Sequence, residues 1–84
     1  MNYACPCCGY LTFDEKPCGS FEICPVCYWE DDNIQNDNPT RKGGANGVCL
    51  NEAKKNFAKF GAIKVEFVKT VRKPLPEESS RSID

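Results

Sequence analysis

Apolar and polar residues alternate in the first third of this chain and recur at helical intervals further on. In Tyr10-Leu11-Thr12-Phe13 and again in Phe21-Glu22-Ile23, aromatic and branched residues alternate with polar ones at the period of a β-strand. Residues 14–20 between them hold Pro17 and Gly19 among charged and small side chains, which is turn material. The pattern predicts a hairpin of these two strands. Leu50, Ala53, Phe57 and Phe60 fall on one face of a helix, with Glu52 in its first turn, Lys54, Lys55 and Lys59 on other faces and Gly61 where a C-cap belongs. A helix over residues 50–60 follows, its stripe facing the hairpin and Phe57 packed on it. Residues 63–71 fit both templates, since Ile63, Phe67 and Val71 lie four apart while Ile63, Val65 and Phe67 alternate.

Between the hairpin and the helix, residues 33–47 are polar and without period, ending in Gly43-Gly44-Ala45-Asn46-Gly47. So long a connection in so small a domain is expected to be functional or mobile. Pro74-Leu75-Pro76 interrupts any regular element, so residues 1–74 are read as one domain and 75–84 as a polar tail, poorly ordered from Glu77 onward.

The cysteines change this picture most. Cys5 and Cys8 form one Cys-x-x-Cys pair and Cys24 and Cys27 another, with fifteen residues between the pairs. That spacing suits a four-thiolate zinc site, in which each tight turn aims two sulfurs at one point and its amides hydrogen-bond them. Proline follows the first cysteine of each pair, and Gly9 follows Cys8 where a positive φ is needed. The predicted architecture is a small metal-stapled α+β fold: a zinc-ribbon hairpin followed by one or two helices, with one Zn2+ per chain. Two alternatives compete for the sulfurs. Disulfides fit poorly, because the seven cysteines are odd in number and the first knuckle starts at residue five, which leaves no room for a secretory leader. A reducing, cytoplasmic compartment is expected. Iron bound as in a rubredoxin-like redox protein is harder to separate, since its four thiolate ligands look the same.

Charge narrows the function classes. The net charge is −1, but residues 1–48 carry three Lys/Arg against seven Asp/Glu and residues 49–84 carry eight against five. A nucleic-acid binder usually presents a basic field, and here the acidic half would repel a polyanion. No apolar run is long enough for a membrane span. The chain has no histidine, so there is no imidazole base, and four thiolates leave zinc no open position for substrate.

The motifs together resemble the cysteine-rich CPCC domain of small bacterial proteins. The resemblance runs from Cys5-Pro6-Cys7-Cys8-Gly9-Tyr10 through Gly19-Ser20-Phe21-Glu22-Ile23-Cys24-Pro25-Val26-Cys27-Tyr28-Trp29-Glu30-Asp31-Asp32. It continues in Gly43-Gly44-Ala45-Asn46 and Leu50-Asn51-Glu52-Ala53-Lys54-Lys55-Asn56-Phe57, and then in Phe60-Gly61-Ala62 and Val71-Arg72-Lys73-Pro74. It implies a metal-bound ribbon followed by helix, favours a helix over residues 63–71, and carries no established catalytic activity. Cys49 stands where the family commonly has serine, so the capping box with Glu52 is lost. Cys18 and Cys49 are read as free thiols, and Cys7 as a small buried hydrophobe inside the knuckle.

The expected function is that of a non-enzymatic zinc-binding domain that recognises a protein partner, as a toxin antidote or an adaptor. Trp29, Glu30, Asp31 and Asp32 are the candidate recognition patch, against the plainer reading of a solvated acidic surface, while Tyr28-Trp29 is also placed to cover the metal. Nucleic-acid binding through the basic carboxy-terminal half is the disfavoured alternative.

Overall fold

The computed structural model describes residues 2–79. Strand β1 (Tyr3–Ala4) and strand β2 (Leu11–Phe13) are followed by helix α1 (Asn33–Asp37) and helix α2 (Leu50–Phe60), and then by single 3-10 turns at Val65–Phe67 and Pro76–Glu78. β1 and β2 pair antiparallel, with Tyr3 opposite Phe13 and Ala4 opposite Leu11 across an irregular step. Residues 21–23 do not pair with residues 10–13: Ile23 instead bridges Glu30. The expected hairpin is therefore replaced by two smaller reversals, each wrapped around its own Cys-x-x-Cys turn. Each turn ties its own flanks together, Cys5 N–H bonding the Tyr10 carbonyl and Cys24 N–H the Trp29 carbonyl, and so occupies backbone groups that a pairing of 10–13 with 21–23 would need.

α2 has the predicted bounds. Cys49 is its N-cap and makes no side-chain capping bond, while Gly61 adopts φ 91° and donates its N–H to the Phe57 carbonyl. Leu50 and Ala53 are buried in a core with Phe13, Val26, Trp29 and Ile63. Phe57 meets Tyr10 edge-on at 6.4 Å, so the helix packs on the first knuckle as its stripe implied. Phe60 departs from expectation. It is 41 % exposed, and the stripe outruns the core that should cover it.

Residues 63–71 form neither strand nor α-helix. Ile63 donates its N–H to the Cys27 carbonyl and Arg72 to the Pro25 carbonyl, so the segment is strapped at both ends across the second knuckle. Between these anchors the chain makes short turns over 65–71, among them the 3-10 turn whose Phe67 ring stacks on Tyr28 at 4.2 Å.

The polar connection is not a free loop. Asp32 caps α1, its Oδ1 accepting the N–H groups of Ile34 and Gln35, and its Oδ2 accepts the Ala45 N–H at 2.9 Å. The fully buried Gln35 donates to the carbonyls of Arg41 and Val48 and accepts from the backbone and side chain of Asn46. Asn46 in turn exchanges two bonds with the Glu30 backbone. This is a second core built from amides and a carboxylate, in which each buried polar atom has a partner. Gly44 is required there, since a Cβ would fall 2.7 Å from the Gln35 side chain.

Ordered structure extends past Pro74. Glu78 is buried, takes both ends of the Arg72 guanidinium at 2.9 and 2.8 Å, and accepts the Leu75 N–H. The expectation of disorder thus fails for residues 77–79, and for 80–84 it lies outside the described residues. The Arg72 hydrogen bonds hold the Glu78 carboxyl below its ordinary range, against the opposing effect of burial. A depressed folded-state pKa stabilises the fold above the unfolded value of about 4.3, and this contribution is lost as pH falls through the folded value. Glu78→Gln is therefore expected to lower stability most near neutral pH. Its difference from the parent protein in urea unfolding should shrink as pH falls below about 4. A difference that stays constant with pH contradicts the pairing. Among the described residues no helix is long and apolar enough to cross a membrane.

Candidate metal centre

The two knuckles are built alike. Cys5 donates its N–H to the Tyr10 carbonyl and accepts that of Gly9, while Cys24 donates to the Trp29 carbonyl and accepts that of Tyr28. The third residue of each turn points its N–H at the first sulfur: Cys7 N–H lies 3.4 Å from Cys5 Sγ, and Val26 N–H lies 3.4 Å from Cys24 Sγ. The residue after each pair must take a positive φ to close the turn. Gly9 does so at 80°, as its sequence position implied, whereas Tyr28 does so at 77° with a full side chain. That conformation costs about 1 kcal/mol or more in an L-residue, and the stacked Phe67 ring helps to hold it.

The knuckles face each other and bring Cys5, Cys8, Cys24 and Cys27 together, with all four sulfurs within 4.8 Å of one another. Cys5 and Cys27 sulfurs are 3.6 Å apart and Cys8 and Cys24 sulfurs 3.7 Å apart. Metal–sulfur bonds of about 2.3 Å arranged tetrahedrally place the sulfurs about 3.8 Å apart, which these two separations match. Cys5, Cys24 and Cys27 are buried and Cys8 is half-buried. The cluster could hold one metal ion.

Hydrogen bonding from Cys27, then from Cys5 and Cys8, pulls the Cys24 thiol far below its ordinary range, and Thr12 Oγ1 at 3.1 Å adds a further donor. The same interactions with Cys24 push Cys27 and Cys5 upward, because their protons are held between sulfurs. A divalent metal bound here would favour the thiolate forms, so its loading would release protons. Thr12 was not legible as part of the site. Its place in an alternating strand explained it as an outward polar residue, and only the fold turns its hydroxyl onto a ligand sulfur.

The other cysteines stay outside the cluster. Cys7 is buried among the core residues, Cys49 is buried at the start of α2, and Cys18 is exposed. Cys18→Ser and Cys49→Ser are therefore expected to leave metal stoichiometry unchanged, as measured by elemental analysis of the purified variants. Loss of metal in either one contradicts this ligand assignment.

The acidic-aromatic patch is corrected by burial. Trp29 and Asp31 are fully buried, Asp32 nearly so, and only Glu30 is partly exposed. Trp29 packs in the same core as the cysteines, which fits a role in covering the cluster, and its Nε1 donates to Asn36 Oδ1 at 2.9 Å. Asp31 Oδ2 accepts the N–H groups of Cys18, Gly19 and Ser20 and the Ser20 hydroxyl, while Oδ1 accepts from Asn36 at 2.7 Å. Burial opposes its ionisation, but these donors outweigh it and keep the carboxyl below its ordinary range. Three adjacent acids look like surface in a sequence. Two of them are turned inward, where they accept the backbone N–H groups of residues 18–20, 34–35 and 45 and tie those turns together.

Two knuckles converging on a largely buried four-sulfur cluster, backed by one helix, define a small cysteine-rich α+β domain with a candidate metal site. Residues 3–78 match the family described as Cysteine-rich CPCC, and the chain belongs to that family. No curated protein matches the chain.

Proposed function

We propose that this protein is a non-enzymatic, zinc-stapled binding module. Cys5, Cys8, Cys24 and Cys27 hold one Zn2+ in a closed ribbon-like site, and the folded domain presents a surface to a protein partner. The observation that carries this reading is the spacing of the four sulfurs at the edges of a tetrathiolate tetrahedron. Zinc is supported by its preference for four-coordinate thiolate sites that need no further ligand and no redox change. The metal does structural work, because a domain of this length buries too little apolar surface to be stable without a staple. A non-catalytic role is supported by the same closure, by the absence of histidine, and by the internal use of Asp31 and Asp32. The burial of Trp29, Asp31 and Asp32 favours a partner surface that does not use them.

Elemental analysis and visible spectroscopy of protein produced in medium supplying both metals test the assignment. Colourless protein with one zinc per chain is the expected result. A coloured protein that bleaches on reduction would establish the iron-binding redox alternative, and protein free of both metals would defeat the staple itself.

A further inference from the structure

We infer that the groove beside the second knuckle docks a short acidic segment of the partner protein, rich in apolar side chains. This rests on the reading of the domain as a binding module and names its face. The groove encloses about 310 Å³ between α2 and residues 68–74, with Val26, Phe57, Phe60, Val68 and Pro74 supplying apolar walls. Its rim carries Lys73 and Arg72, the latter paired with Glu78, and among the described residues none of the side chains lining it is a carboxylate.

Two observations indicate that the groove is open to an outside occupant. The apolar stripe of α2 starts buried at Leu50 and Ala53, is half-covered at Phe57, and ends at Phe60, the most exposed of the four. Opposite it, Val68 is 37 % exposed. Large apolar side chains gathered in one concave surface are the kind that mark interaction sites, whereas scattered ones need no explanation.

Charge decides the kind of occupant. Among the described residues the ion pairs are Lys64–Glu66 and Arg72–Glu78. Neither Lys73 at the rim nor Lys59, whose Nζ lies 5.4 Å from the Phe60 ring, has an anionic partner among those residues. Cations around an apolar floor complement a peptide whose apolar residues enter the groove while its carboxylates meet the rim. A nucleic acid would draw its affinity from a run of phosphate contacts, and an apolar floor contributes little to those.

The test is fluorescence anisotropy on zinc-loaded protein, with metal content measured in the same sample. The probe is a short labelled peptide alternating leucine with glutamate, compared with its lysine counterpart and with a single-stranded RNA oligonucleotide. Saturable binding of the acidic peptide is expected, weaker by about tenfold in Phe60→Ser, the scale of losing one buried anchor. Lys73→Glu should weaken it and flatten its salt dependence, while Lys16→Glu on the exposed side of the other half should leave it unchanged. Four results would overturn the docking assignment. They are no saturable binding by fully metal-loaded protein, equal binding of the lysine peptide, binding indifferent to Phe60→Ser and Lys73→Glu, or RNA bound in preference through Lys73. Self-association abolished by Phe60→Ser would assign the groove to a second copy and overturn it equally. Protein that lacks metal would instead defeat the staple reading, so the two failures are distinguishable.

Discussion

Cys24→Ser is expected to abolish metal binding and unfold the domain. Cys24 is the most connected sulfur of the cluster: fully buried, 3.7 Å from Cys8, and receiving the Val26 N–H and the Thr12 hydroxyl. A serine oxygen is a harder and weaker donor for this site, its shorter bond leaves the tetrahedron incomplete, and the donors aimed at the sulfur lose their anion. Binding of structural zinc contributes on the order of 10–16 kcal/mol at neutral pH. Domain stabilities are about 5–15 kcal/mol, so loss of the staple removes a quantity comparable to the whole. Amide chemical-shift dispersion should collapse across both knuckles and across α2, which packs on them through Phe57. Thr12→Val is the milder companion. It keeps all four sulfurs and removes one hydroxyl donor, and the expected result is a folded protein with a metal affinity lowered by about tenfold or more. Dispersed spectra from metal-free Cys24→Ser would show that the core folds without the staple.

The second large effect is expected at Asp31. Asp31→Ala leaves three backbone N–H groups and the Ser20 hydroxyl without their acceptor and frees Asn36 from its 2.7 Å bond. A fully buried donor left unpaired costs about 1–3 kcal/mol; these donors are part-buried and water replaces the carboxylate for some of them, so the expected loss is about 2 kcal/mol or more in urea unfolding of the metal-loaded protein. The damage should spread to Trp29, because Asn36 links its indole N–H to the same carboxylate. Red-shifted tryptophan fluorescence in the folded variant is the signature. A loss below about 1 kcal/mol would return Asp31 to the solvated surface that its acidic neighbours suggest.

These two effects mark the boundary of what the residues reveal in order. The cluster was legible because Cys-x-x-Cys spacing is a local code: one turn fixes two sulfurs, and Pro6, Gly9 and Pro25 label the turns. α2 was legible for the same reason, its period and Gly61 being written within one element. The strand pairing was not, because the alternation of residues 10–13 and 21–23 states that strands exist but not which neighbour each one takes. Residues 31–46 were the least legible. Asp31, Asp32, Gln35 and Asn46 are residue types found mostly at surfaces, and their burial follows from backbone groups that become orphaned only once the knuckles have folded. Tyr28 carried a signal that position alone could have supplied. It stands in the second knuckle where Gly9 stands in the first, and the same backbone demand falls on it.

The central claim is that four cysteine sulfurs, and no other groups, close around one metal. X-ray absorption at the zinc edge of purified, metal-replete protein tests it most directly. The expected first shell is four sulfur scatterers at about 2.3 Å, with one zinc per chain by elemental analysis of the same sample. A shell with nitrogen or oxygen in it, or fewer than four sulfurs, would contradict the closed tetrathiolate site.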